Sequence, residues 1–256
     1  EDYVAWCWKA GTTSGISAGG NETITPSSYS FNQTSGFSIT AFTGDDASSA
    51  LIPHGLGAVP EMVWIKNLDS AQDWSMYHKS MDSTPASYGS PEDYKIQLNG
   101  TPARVNTATY WNDTAPTSVN MCLGNAANVN NTEEFAAYFF TGIQGYSKFG
   151  YYEGNADTDG IFVYTGFRPA YVFAVSIDST SDRVVFDNRR AGFNPDNDQI
   201  VISNTDVQTT SLYCNINSNG FHWKTAADPN VAETFIYAAF AESPFVNSEA
   251  VPTNAR

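Results

Sequence analysis

Basic residues are scarce in this chain of 256 residues: 12 Lys and Arg stand against 27 Asp and Glu, a net charge of -15. Such a charge repels phosphate backbones and anionic lipid headgroups alike, which argues against a nucleic-acid partner. Cysteine is nearly missing. Cys7, Cys122 and Cys214 form no CxxC, and an odd, scattered set argues against a disulfide scaffold and fits folding in a reducing cytosol before export or lysis. Long apolar runs are lacking as well. The longest, around Phe135–Phe140, is about a third of a membrane span, so no membrane insertion is expected. The start, Glu1-Asp2, has neither Met nor a basic segment and reads as a cut or processed end without a signal peptide. The three histidines, His54, His78 and His222, show no HxH or HxxxH spacing; no transition metal and no other cofactor is expected.

What is present is β-rich. Aromatic residues make up 14% of the chain, Ser, Thr, Asn and Gly recur, and the apolar runs are short and rich in Val, Ile, Phe, Tyr and Trp. Met62–Ile65 and Trp74–Tyr77, separated by turn residues at Asp69-Ser70, form a hairpin pattern. No stretch of ten residues has helical periodicity between caps, so the expected class is all-β.

The chain also repeats itself. Pro60–Ser70 (PEMVWIKNLDS) matches Pro169–Ser179 (PAYVFAVSIDS) 109 positions on, with apolar residues in register. Asp73–Lys79 aligns with Asp182–Asn188, and Ala126–Phe140 parallels Ala226–Phe240 at a spacing of 100. The shorter second copy lacks the loop Ser80–Asp93, as loops tolerate deletion. Two tandem β-sandwich repeats of jelly-roll type are expected, over 36–143 and 144–246, followed by a tail over 247–256. Residues 1–10 resemble Glu134–Phe140 and read either as the closing strand of an upstream repeat or as a strand completing the first copy. Residues 11–35 read as a Gly/Ser/Thr-rich linker.

Several short motifs then carry a resemblance: His54–Pro60 (HGLGAVP), Tyr77–Lys79 (YHK), Asn112–Pro116 (NDTAP), Gly145–Gly150 (GYSKFG), Thr165–Pro169 (TGFRP) and Phe240–Phe245 (FAESPF). Together, over residues 36–246, they resemble a repeat family in tail-fibre and other structural proteins of marine bacteriophages, itself similar to concanavalin-like sandwich domains. The resemblance implies a non-enzymatic component of the virion surface, a tail-fibre or adhesin segment touching the host. Its partners would be other virion proteins, further copies of itself, in trimers by analogy, and a host-surface glycan. A capsid-decorating protein and a bacterial cell-surface carbohydrate-binding module are the alternatives. The acidity and the Ser80–Asp93 insertion, with Pro85 and Pro91, depart from many members.

Chemical motifs give little. Gly15–Gly19 (GISAG) fits a nucleophile elbow, but Asn21–Pro26 offers no helix after it. Asn155, Asp157 and Asp159 resemble the first half of a calcium loop, yet Gly166 stands where the closing acid belongs, so a turn is the better reading. Glu133, Glu134 and Glu233 are the carboxylates a glycosidase would use, but Glu133 and Glu233 recur before the same strand of both copies, as Asp69 and Asp178 recur at their turns, which marks them as scaffold. No catalytic residue is expected. Residues found in one copy alone are better binding candidates: Trp111, Trp223, Tyr88 and Tyr94, whose rings would stack on a sugar unless sheet packing buries them.

Overall fold

The computed structural model describes residues 4–17, 19–84, 87–190, 194, 196–204 and 208–244. The chain is nearly all-β, with antiparallel pairing throughout, and divides into two compact units, one of Trp6–Leu98 with Arg104–Thr141 and one that includes Asn99–Ala103 and Gly142 onward.

The first unit contains β1 (Ser28–Asn32), β2 (Phe37–Thr43), β3 (Ala50–Pro53), β4 (Met62–Asn67), β5 (Ser75–His78), β6 (Ser83–Thr84), β7 (Ser87–Tyr88), β8 (Tyr94–Gln97), β9 (Val105–Asn106), a one-turn helix α1 (Ala108–Trp111), β10 (Asn120–Leu123) and β11 (Glu134–Phe140). Its main sheet runs β1-β2-β11-β4-β5-β8-β9, and β3 pairs with β10 in a small second sheet. Alternation sends Phe42, Ile65 and Phe135 from the main sheet, and Ala50, Ile52, Met121 and Leu123 from the small one, into a single core. Thr107 caps α1, and its two aromatic residues, Tyr110 and Trp111, enter the same core.

The second unit contains β12 (Ser147–Glu153), β13 (Phe162–Tyr164), β14 (Pro169–Ser176), β15 (Val184–Asp187), β16 (Asp196–Val201), β17 (Thr209–Asn217), β18 (Gly220–Trp223) and β19 (Thr234–Ala241). They run β12-β19-β14-β15-β16-β17-β18-β13. Tyr152, Val172 and Phe235 from one end of this order share a core with Val163, Ile216, Phe221 and Trp223 from the other, so the sheet folds over on itself. Both units are β-sandwich-like. The order β2-β11-β4-β5-β8 of the first matches β12-β19-β14-β15-β16 of the second, and β3-β10 matches β13-β18.

Two segments differ from their reading in the sequence. Residues 1–3 and the tail beyond 244 lie outside the described residues, and Val4–Ala10 forms no strand; instead Trp8 lays its ring against Phe37, Trp64 and Phe140, 5.7–6.4 Å between centroids. The 11–35 stretch is no free linker. It bridges Thr12 to Phe31, supplies β1 as a strand beside β2, and buries Ile24 and Phe31. Low complexity masked these apolar residues, each of which removes side-chain area from water as any core residue does.

Candidate functional site

The polar residues shared by the two units form one clasp, built twice. In the first unit Gly44 N–H donates to the Glu133 carbonyl (3.0 Å), and fully buried Asn130 accepts the Asp45 N–H (2.9 Å) while donating to Asp45 Oδ1 and the Ala47 carbonyl (3.0 Å each). In the second, Gly154 N–H donates to the Glu233 carbonyl (2.9 Å), and fully buried Asn230 accepts the Asn155 N–H (3.3 Å) while donating to Asn155 Oδ1 (2.8 Å) and to the carbonyls of Asp157 (3.0 Å) and Thr225 (2.8 Å). A buried amide with all its groups matched holds a loop firmly, because any loss leaves a dry polar atom behind. Sequence reasoning missed Asn130 and Asn230, although the spacing of 100 superposes them as identical polar residues.

The candidate carboxylates belong to the same clasp. Glu133 Oε2 accepts from Asn67 (2.5 Å), Asn131 (2.6 Å) and Ser70 (2.9 Å), and these donors, Asn131 foremost, hold its carboxyl below the usual range. Glu233 Oε2 accepts from Ser176 (2.6 Å) and Ser179 (2.8 Å), the residues 109 positions beyond Asn67 and Ser70. Asp69 accepts the Glu134 N–H and Asp178 accepts the Thr234 N–H, each at 2.8 Å. These oxygens tie a turn to the start of a strand in both units.

The calcium-like residues do not converge. Asn155 Oδ1 accepts the Asp157 N–H (3.2 Å) and Asp157 Oδ1 accepts the Asp159 N–H (2.9 Å), two successive Asx turns. Asp159 instead receives the Lys224 ammonium (2.7 Å), which lowers its pKa. Among the described residues no group of three or more His, Cys, Asp or Glu is placed to hold a metal ion.

Each histidine fixes backbone. His54 Nδ1 accepts the Leu56 N–H (3.2 Å), so in the neutral ring Nε2 carries the proton toward the Thr117 carbonyl (3.2 Å); burial lowers its pKa to about 4. Thr165 makes the equivalent turn in the second unit, its hydroxyl accepting the Phe167 N–H (3.4 Å). His78 accepts the Ser80 N–H (3.1 Å), and His222 Nε2 lies 2.8 Å from the Gly160 carbonyl.

Sheet packing takes both candidate tryptophans. Trp111 and Trp223 are 0% exposed and offer no ring face to a sugar. Trp111 packs edge-on to Tyr77 and donates its indole N–H to the Tyr94 carbonyl (2.8 Å), and Trp223 packs against Phe186 and Phe221. Tyr94 is half-buried, with the Arg104 guanidinium 4.7 Å over its ring. The Tyr88 side chain lies outside the described residues. Exposed aromatic surface is found elsewhere: Phe162 and Tyr164, alternate residues of β13, are 46% and 56% exposed. Sequence alternation with buried Val163 was the signal for them.

No helix among the described residues is long and apolar enough to cross a membrane. No curated protein and no solved structure matches the chain. The model of a family described as a domain of unknown function, DUF7483, matches residues 1–244. A match over that length, through both units, places the chain in its family: it belongs to DUF7483.

Proposed function

We propose that this chain is a non-enzymatic structural component of a bacteriophage virion surface, a tail-fibre or adhesin segment built from two copies of one jelly-roll, concanavalin-like repeat. The observation that carries the reading is the duplicated clasp. Glu133 and Glu233, with Asp69 and Asp178, are engaged at equivalent strand ends and turns, so the acids of both units hold loops in place. Reuse of one rigid module along a chain is how extended fibres gain length. The motifs from His54–Pro60 to Phe240–Phe245 support the assignment to virion proteins.

The action of such a segment is binding without turnover. Its partners are other virion proteins and further copies of itself, and a host-surface glycan is the ligand class. Many weak contacts on one particle add up to firm attachment. The net charge of -15 keeps densely displayed copies soluble. The direct test is mass spectrometry of infectious particles purified through a density gradient. Peptides of this chain at constant ratio to the capsid protein across the infectious peak are expected. Their confinement to the soluble lysate would overturn the proposal.

A further inference from the structure

The two units differ along one strand edge. In the first, the outer side of β3 is closed by the segment that precedes β1: the N–H groups of Thr23 and Ile24 donate to the Leu51 carbonyl (3.1 and 3.2 Å). The Leu51 N–H in turn donates to Thr23 Oγ1 (2.9 Å), and Ile24, 3% exposed, joins the core with Ile52 and Leu56.

In the second unit β13 takes the place of β3, lying beside β18 as β3 lies beside β10. Thr165 N–H donates to the Asn219 carbonyl (3.0 Å) and Trp223 N–H to the Ile161 carbonyl (3.1 Å), which fixes the alternation of the ladder. In an antiparallel pair alternate residues turn their main-chain groups away from the partner strand, and here those residues are Phe162 and Tyr164. Among the described residues the Phe162 N–H and carbonyl meet no partner, and the Tyr164 carbonyl receives the Lys148 ammonium (2.7 Å). The rings are 46% and 56% exposed, and the Lys148 ammonium lies 5.1 Å from the centroid of the Tyr164 ring, which leaves the Phe162 end of the strand open. An open edge flanked by apolar side chains is a template for an added strand.

The chain itself carries a segment of the right kind. Asn21–Pro26 (NETITP), which closes β3, has an acidic residue, a small residue, a β-branched aliphatic and then a proline within two. Asn247–Thr253 (NSEAVPT) repeats that order through Glu249, Ala250, Val251 and Pro252. Just past β19, Glu242 N–H donates to the Arg168 carbonyl (2.9 Å), and the Glu242 carboxylate pairs with the Arg168 side chain (3.1 Å). That contact fixes the chain four residues along from Tyr164. The nine residue steps from Glu242 to Val251 reach about 30 Å when extended, more than the return to β13 requires.

We propose that the outer edge of β13 is an acceptor for an added strand, and that its occupant is the same chain's Asn247–Thr253, with Val251 in the role Ile24 has on β3. Ala250 lacks the hydroxyl of Thr23, so the Phe162 N–H bonds to a main-chain carbonyl of the segment. The short tether sets a local concentration of about millimolar, which favours this segment over the same one on another copy.

Hydrogen exchange of the full chain, followed at residues 161–165, tests it. Slow exchange there is expected, accelerated about tenfold or more by Val251→Asp and by termination after residue 245, and unchanged by Val251→Ile. Amides of β14 and β19 keep their protection in each variant, which separates loss of the added strand from loss of the fold. A synthetic peptide of residues 246–256 restores slow exchange to the truncated chain. Equal exchange in the full and truncated chains would overturn the proposal. So would protection that disappears on dilution, which would make a second copy the occupant.

Discussion

Asn130 and Asn230 do at the scale of single residues what a disulfide does elsewhere: each ties two distant loops together, from a position wholly out of solvent. Replacement of Asn230 by Ala leaves the Asn155 N–H and the carbonyls of Asp157 and Thr225 without that partner. A loss of about 2–3 kcal/mol is expected in urea unfolding, with Asn130→Ala costing about as much. His54 gives a pH signature. Its folded pKa, about 4, lies below the free value of 6.5, so the unfolded chain takes up the proton first as pH falls. Stability is therefore full above pH 6.5 and declines down to pH 4. Between pH 7 and pH 5 the decline is about 2 kcal/mol. His54→Thr, which installs the residue that serves at Thr165, removes that dependence in unfolding curves at the two pH values. At this scale the sequence was legible where copies could be compared. Glu133 with Glu233 and Asp69 with Asp178 stood out as scaffold by position alone. Comparison of copies could not place Trp111 and Trp223, because it shows that a residue is unshared, whereas burial depends on which strands close over it.

At the scale of elements, β3 needs the Thr23–Ile24 segment as much as it needs β10. Ile24→Ala removes most of a core side chain and is expected to cost about 2–4 kcal/mol, with faster proteolysis of residues 11–27 as the second readout. Unchanged stability would return that stretch to the status of a linker. The glycines that open the paired clasps make a matched test. A Cβ on Gly44 would lie 1.9 Å from the Asn131 carbonyl oxygen, and one on Gly154 equally close to that of Val231. Gly→Ala at either position forces the backbone apart and is expected to destabilise by about 1–3 kcal/mol, read by thermal unfolding. Strands such as Met62–Asn67 and Pro169–Ser176 were legible from their apolar runs and their repetition. Strand β1 was not, since Ser28–Asn32 sits in a run of Ser and Thr that reads as coil, and α1 has a single turn, too short for periodicity to register.

For the whole molecule, two units share a strand order and a clasp while their loops differ. The net charge of -15 disfavours a nucleic-acid partner. The all-β class could be read from short Val-, Ile- and aromatic-rich runs without helical periodicity, because alternation needs no knowledge of contacts. A ligand could not, because recognition rests on which rings stay exposed, and among the described residues those are Phe162 and Tyr164 rather than Trp111 and Trp223. We propose a place for this chain on the virion surface, and imaging native virions with a gold-labelled antibody against the folded chain tests that placement. Label on projecting fibres is the predicted result. Label spread evenly over the shell would replace the adhesin reading with capsid decoration, and particles without label would contradict the virion assignment itself.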